Sequence, residues 1–286
     1  MDLEIGKEQE NLLIESGLDW TVRTEGCKTT ESGIILPKKI AIIRNDTNTV
    51  LGDHKDGYKP YQNHELLELL FKISTQTGLS LHSGGYFKNG EKVFIQLKSD
   101  DLRLGNDKVE GYISGLNSFD GSTSLSFGTS NHTVSCGNSF FLVYRSLQSK
   151  MRHSANMIIK IEEVLQNIDK LVVEEKENFS TIKRLADVRM TDDVKKMVTR
   201  YLFDLKKEER LDDPDLSTNK KNKILRFEND LATELGTKED TLWGLFSGVT
   251  RYTTHSMKKG DNTEGKIFGR TGLKERAIWN MLAETV

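Results

Sequence analysis

Gly85-Tyr86-Phe87-Lys88-Asn89-Gly90-Glu91-Lys92-Val93-Phe94-Ile95-Gln96-Leu97 is the stretch on which the fold reading turns. Asn89-Gly90 lies between two runs of aromatic and β-branched residues. A type I′ turn needs two residues that tolerate positive φ, so this spacing predicts a β-hairpin. Working outward, residues 36 to 51 read strand, turn, strand: Ile40, Ile42 and Ile43 precede Asn45-Asp46-Thr47-Asn48, and Thr49-Val50-Leu51 follow it. Between the hairpins, Gly52-Asp53-His54-Lys55-Asp56-Gly57 is a polar loop, and Asn63 is placed to cap a helix carrying Leu66, Leu67, Leu69, Leu70 and Ile73.

Downstream, strands are predicted from Tyr112 to Ser118 and from Ser122 to Phe127, joined at Asp120-Gly121, with another from Asn131 to Cys136 after Gly128. Gly137-Asn138-Ser139 opens a long helical stretch in which Phe141, Tyr144, Ile158, Ile161, Val164, Leu165 and Ile168 recur at helical spacing. Thr191, with Asp192 and Asp193 behind it, caps a helix to about Leu205, and Asp212-Asp213-Pro214-Asp215 breaks the chain. A basic amphipathic helix from about Ser217 to Leu235 ends at Gly236. Another, from Lys238, carries Trp243, Leu245, Phe246 and Val249. The last, after Gly272, buries Ala277, Ile278, Met281 and Leu282.

The class expected is α+β: an antiparallel sheet with hairpins in the amino-terminal half packed on long helices, and a helical carboxy-terminal half. The expected division is an extension over residues 1–33, a sheet-helix core over 34–172 and a helical region over 173–286.

Composition narrows the function classes. The 286 residues are 36% hydrophobic and 29% charged, enough apolar side chain to fold and long enough for a sizeable core. Lysine and arginine number 41 against 43 acidic residues, a net charge of −2, so any polyanion site must be local rather than a field of the whole protein. Two cysteines, Cys27 and Cys136, make neither a disulfide framework nor a four-ligand zinc site, which fits a reducing cytoplasm. The amino-terminus lacks a continuous apolar segment and no run of 18 apolar residues occurs, which disfavours export and membrane insertion.

Motifs that carry chemistry are weak here. Gly260-Asp261-Asn262-Thr263-Glu264-Gly265-Lys266 matches the start of a P-loop, but a helix precedes it and Ile267 stands where magnesium needs a hydroxyl. Asp53, His54 and Asp56, with Asp100, Asp101 and Asp107 elsewhere, lack metal-ligand spacing, and the histidines never pair at i+3 or i+4. Cys136, Ser122 and Ser139 lack a nucleophile context. No cofactor and no metal is expected. More suggestive is the distribution of base and ring. Arg145, Lys150, Arg152, His153 and Lys160 line the long helix expected to leave the sheet, and Arg251, Tyr252, Lys258, Lys259, Lys266, Phe268, Arg270, Lys274 and Arg276 fill the carboxy-terminal segment. Cations neutralise phosphate and rings stack on unpaired bases, the combination that holds single strands. A solvated charged surface is the plainer alternative.

Several blocks resemble the phage- and plasmid-like family of domains of unknown function numbered 932. They are Tyr58-Lys59-Pro60-Tyr61-Gln62-Asn63, Asn117-Ser118-Phe119-Asp120-Gly121-Ser122 and Val134-Ser135-Cys136-Gly137-Asn138-Ser139. Later come Lys150-Met151-Arg152-His153-Ser154-Ala155-Asn156 and Thr241-Leu242-Trp243-Gly244-Leu245-Phe246 through Val249-Thr250-Arg251-Tyr252. Phe119 stands where the family often has histidine, and Ser247-Gly248 where it often has asparagine-alanine, so neither position is given a chemical role. The element order is also similar to that of single-strand annealing recombinases, an analogy of layout.

The family name records no activity, but the basic and aromatic segments together with the resemblance lead to the expectation of a phage- or plasmid-encoded, non-catalytic protein in a bacterial cytoplasm that binds single-stranded DNA and promotes annealing in recombination or replication. It would act as a homo-oligomeric ring or filament, with a phage exonuclease or a host single-strand-binding protein as partner. Lys150, Arg152 and His153, with Arg145, and Lys55 and Lys59 in the first loop are the expected contacts, with Arg251, Lys266 and Arg270 second, as a mobile clamp. One rival is a metal-dependent nuclease built on Asp53, His54 and Asp120. The other is a host-takeover interaction module, which would expose the Trp243 face.

Overall fold

The computed structural model describes residues 6–105, 107–133, 138–141, 150–151, 157–206, 216–257, 262–267 and 269–286. Among them the order is α1 (Lys7–Glu15), β1 (Val22–Lys28), β2 (Ile35–Arg44), β3 (Val50–Lys55), α2 (Asn63–Thr77), β4 (Ser80–Phe87), β5 (Lys92–Leu104), β6 (Asp107–Ser118) and β7 (Leu125–Thr133). Two short strands follow, β8 (Asn138–Phe141) and β9 (Lys150–Met151), and then helices α3 (Met157–Gln166), α4 (Ile168–Asp187), α5 (Asp192–Leu202), α6 (Thr218–Lys238), α7 (Leu242–Arg251), α8 (Thr263–Ile267) and α9 (Arg270–Ala283). The protein is α+β. A three-stranded sheet runs β1-β2-β3, and a six-stranded sheet runs β4-β5-β6-β7-β8 with β9 also paired to β7. The β1–β2, β2–β3, β4–β5, β7–β8 and β7–β9 pairs are antiparallel.

The chain forms two compact units. The first comprises Met1–Asp100, Tyr112–Thr129 and Val143–Val173, and the second Asp101–Gly111, Ser130–Leu142 and Glu174–Val286. In the first, α2 turns Leu66, Leu67, Leu70 and Ile73 into one cluster with Val93, Ile95, Leu97, Ile113 and Phe127. Each such side chain contributes about 1.5–3 kcal/mol on burial. Gly115 permits the close approach, since a Cβ there would sit 3.0 Å from both Leu70 Cδ1 and Phe127 Cε1. The N-cap of α2 is Gln62, whose N–H donates to Glu65 at 2.6 Å, whereas Asn63 lies inside and donates from Nδ2 to the Leu18 and Trp20 carbonyls, both at 3.1 Å. The β4–β5 hairpin forms as predicted, with Lys88, Asn89 and Gly90 all at positive φ in its turn.

In the second unit, hydroxyl caps start three helices: Thr191 for α5, Ser217 for α6 and Thr241 for α7. Two aromatic groups fill its interior, Phe203 with Phe227 and Tyr252, and Trp243 with Phe246 and Trp279.

Four local expectations are corrected. Asn138–Phe141 is a strand rather than the start of a helix, because the β-prone Phe140 and Phe141 pair antiparallel with Asn131 and Ser130. The first helix after them begins at Met157. Gly128 interrupts nothing, since β7 runs through it. Gly236 is interior to α6, which continues to Lys238, whose ammonium pairs with Glu234 at 2.8 Å and Asp107 at 3.2 Å. Gly272 lies inside α9, where a Cβ would come within 1.7 Å of the Lys266 carbonyl oxygen. β1 is an addition, since residues 22–28 carry no apolar alternation.

Candidate nucleic-acid interface

The three-stranded sheet has a buried root and an exposed arm. At the root, Val22, Ile42, Ile43 and Leu51 are buried, and Arg44 clamps the sheet. Its guanidinium lies 4.2 Å over the Trp20 ring and 5.3 Å from Tyr86. It also donates to both oxygens of Asp46 at 2.7 and 2.8 Å, and to the Asn89 carbonyl at 2.9 Å. Beyond the root, residues 30–39 are all exposed. The tip is nevertheless ordered. The Thr29 N–H donates to the Ile34 carbonyl at 2.9 Å, the Gly33 N–H to the Thr29 carbonyl at 3.1 Å, and the Ile34 N–H to Thr29 Oγ1 at 3.0 Å. Gly33, at φ +66°, supplies the left-handed residue this turn requires.

Cross-strand register decides which side chains share a face. Lys28 lies opposite Ile35 on β2, and Lys39 lies opposite Lys55 on β3. Two lysines directly opposite one another oppose pairing of the strands, and Asp53 relieves the repulsion by an ion pair with Lys39. A hydrogen bond from Lys39 is also the main reason the Asp53 carboxyl is held below the usual carboxylate range. Between these pairs the ladder is irregular, and Lys38 adopts φ +60°, a strained region for a residue with a side chain. The Asp56 N–H holds it there, donating to the Lys38 carbonyl at 3.2 Å. Lys28, Lys38 and Lys55 are exposed and make no ion pair among the described residues, and Lys59 is exposed nearby. Sequence reasoning named Lys55 and Lys59 and missed Lys28, Lys38 and Lys39. The available signal was Ile34-Ile35-Leu36 running directly into Pro37-Lys38-Lys39, an apolar run beside a basic pair.

Two family-like blocks lock the loops beside this sheet. Tyr58 donates its hydroxyl to the Ser118 carbonyl at 2.7 Å, and Asn117 Nδ2 donates to the Tyr61 carbonyl at 2.7 Å. The amide of Gln62 pairs with the backbone of Val22 in both directions, at 2.9 and 3.0 Å, as a neighbouring strand would. His54 Nε2 hydrogen-bonds the Phe119 carbonyl at 2.7 Å, and its ring stacks on Tyr58 with centroids 3.8 Å apart. A Cβ on Gly121 would come within 2.6 Å of the His54 ring. Burial, and then the Asp120 charge, push the Tyr58 hydroxyl well up from its ordinary value. The blocks therefore hold structure. Asp53, His54 and Asp120 do not assemble as a metal site: Asp53 faces Lys39, His54 is held by a carbonyl, and Asp120 lies 3.8 Å from Lys92. Among the described residues, no group of three metal-capable side chains occurs.

The carboxy-terminal cations have different surroundings. Lys266 is 1% exposed, so it is an interior residue and not part of a surface clamp. Its ammonium lies 2.9 Å from Glu275 and 2.6 Å from Thr254 Oγ1. Arg251 is half-buried against Asp230 at 3.4 Å and Glu234 at 3.3 Å. Lys274 pairs with Asp204 at 2.6 Å. Arg270, the first residue of α9, is exposed. Trp243 is buried, so the exposed apolar face that a host-takeover module needs is not at that position. Arg145, Arg152, His153, Cys136, Lys258, Lys259 and Phe268 lie outside the described residues. Lys150 is described only as backbone, and it lies in the strand β9, paired with Ser126 of β7, rather than on the long helix expected there.

No described helix is long and apolar enough to cross a membrane. No curated protein and no solved structure matches the chain. The profile of one family, the Domain of unknown function (DUF932), matches residues 50–279, a span that begins after β1 and β2. With most of its length inside that span, the chain belongs to the DUF932 family.

Proposed function

We propose that the protein binds single-stranded DNA on the arm of its three-stranded sheet and promotes strand annealing without catalysing a reaction. The observation that supports this reading is an ordered, solvent-exposed ribbon bearing Lys28, Lys38 and Lys55 without ion-pair partners, with Lys39 and Lys59 beside them. A lysine held in solvent on a fixed backbone neutralises a phosphate and releases its counterion. Chemistry is unnecessary: phosphates lie along the ribbon, bases stay free to pair, and a homo-oligomeric ring or filament aligns many ribbons along one strand. A phage or plasmid origin, and a phage exonuclease or host single-strand-binding protein as partner, belong to the same proposal.

The test is fluorescence anisotropy of the whole protein on a labelled single-stranded oligonucleotide at several salt concentrations, with and without magnesium. Binding that weakens steeply with salt, without cleavage, is the expected outcome. No binding at low salt overturns the proposal, and magnesium-dependent cleavage replaces it with the nuclease.

A further inference from the structure

Three consecutive large apolar residues stand on the same arm. Ile34 is 63% exposed, Ile35 75% and Leu36 39%. Scattered exposed apolar side chains are ordinary, but this run, with the consecutive β2 residues Ile35 and Leu36 on opposite faces, puts apolar surface on both sides of the arm and marks a contact surface. The turn hydrogen bonds through Thr29 fix this run in place, so a partner meets it without ordering it first.

Charge indicates what the partner is. On residues 22–59, Arg23 pairs with Glu25, Lys39 with Asp53 and Arg44 with Asp46. Lys28, Lys38 and Lys55 make no ion pair among the described residues, and over residues 22–59 lysine and arginine outnumber aspartate and glutamate by seven to five. An apolar surface rimmed by excess cation repels another copy of itself and complements a polyanion with apolar faces. Unpaired nucleobases on a phosphate backbone have both properties. The register brings the two kinds of contact together, because Ile35 and Lys28 lie directly opposite across the ribbon and present to one face.

We propose that Ile34, Ile35 and Leu36 form a wedge that contacts and separates bases of the bound strand, while Lys28, Lys38 and Lys55 hold its phosphates. This rests on the single-strand-binding reading and adds the base contact to it. In annealing, the wedge turns base edges away from their own strand's stack and toward an incoming complement.

The experiment uses the full chain and an oligonucleotide carrying 2-aminopurine, whose emission rises when neighbouring bases unstack. Wild-type protein is expected to raise it at saturation. Ile34→Ser with Ile35→Ser should bind about tenfold more weakly, as loss of one stacked base does. It should keep the salt slope of the wild type and lose the rise. Ile35→Trp supplies an independent signal, an added tryptophan emission that the bound strand quenches. Binding by the wild type with no rise in emission overturns the wedge and leaves the single-strand reading standing, as does a serine variant that keeps the full rise. A serine variant that changes the protein's mass by sedimentation reassigns the run to a subunit contact and overturns the wedge. Absence of wild-type binding removes both.

Discussion

Lys38 in the first unit and Lys266 in the second are the same side chain under opposite conditions. Lys38 sits on a strained backbone at φ +60° with its ammonium in water and no ion pair. Lys266 sits inside its unit with its ammonium 2.9 Å from Glu275 and the α9 backbone packed on its carbonyl. A buried ion pair is poor evidence of net stabilisation, yet removing one partner leaves an uncompensated charge in a dry interior. An exposed lysine contributes almost nothing to folding and is free to act on a ligand. A count of cations along the chain merges these two cases, and only their surroundings separate them.

The sharpest way to break the contrast is at the buried end. Lys266→Met should destabilise the protein by about 3–5 kcal/mol in urea unfolding, while the double change with Glu275→Leu should recover most of that loss. A single variant as stable as wild type would mean that the interior tolerates an unpaired Glu275, against the contrast with Lys38. Next in size, replacing Lys28, Lys38 and Lys55 together by alanine should leave stability within about 0.5 kcal/mol per site. The slope of log affinity against log salt should fall by about two, near 0.7 per lost phosphate contact on a single strand. An unchanged slope would place the phosphates elsewhere, with Arg270 the first alternative.

Lys38→Gly separates strain from charge. Relief of the left-handed conformation should raise stability by about 1 kcal/mol, while single-strand affinity falls. If both quantities fall, Lys38 packs in a way its exposure does not show. The smallest effect is a pH dependence. Burial pushes the Glu275 carboxyl above the usual carboxylate range, opposed by the Lys266 charge and the hydrogen bond from Thr253. Folded protein then holds that proton to higher pH than the unfolded chain, so stability should decline as pH rises from the ordinary glutamate value near 4.5 to the folded value. The decline should stay below about 1.4 kcal/mol per pH unit, the limit for one whole proton, and disappear in Glu275→Gln. Thermal unfolding across that range checks it.

The fold was largely legible in the sequence because its punctuation is local. Asn89-Gly90 demands a hairpin by its own φ preferences, and Thr191 caps α5 by accepting from the Val194 N–H at 3.4 Å, three residues away. Errors fell where distant partners override local signals. Gly272 resembles a helix start until the Lys266 carbonyl beneath it explains the missing side chain. Asn138–Phe141 resembles a helix start until β7 offers a strand to pair with. The candidate interface was half legible. Lys55 and Lys59 stood out beside glycines and a proline, but β1 has no alternating pattern, because an arm exposed on both faces has no buried side to alternate with. The motif blocks invited a functional reading, yet Tyr58, Gln62 and Asn117 bond backbone 40 to 60 residues away, which no spacing reveals.

The clamp at the root of the arm also makes the protein its own optical instrument. Trp20 lies under the Arg44 guanidinium, donates its indole N–H to the Gly17 carbonyl at 2.8 Å, and touches Tyr86 and Phe119 edge-on or tilted. Its excited state is therefore tuned by a cation that belongs to the same strand as the ribbon. A tug on β2 that shifts Arg44 by an ångström changes the field across the indole, and the colour of its emission shifts with it. Trp243 and Trp279, buried in the second unit, are the other two tryptophans, and replacing both by phenylalanine isolates the Trp20 signal.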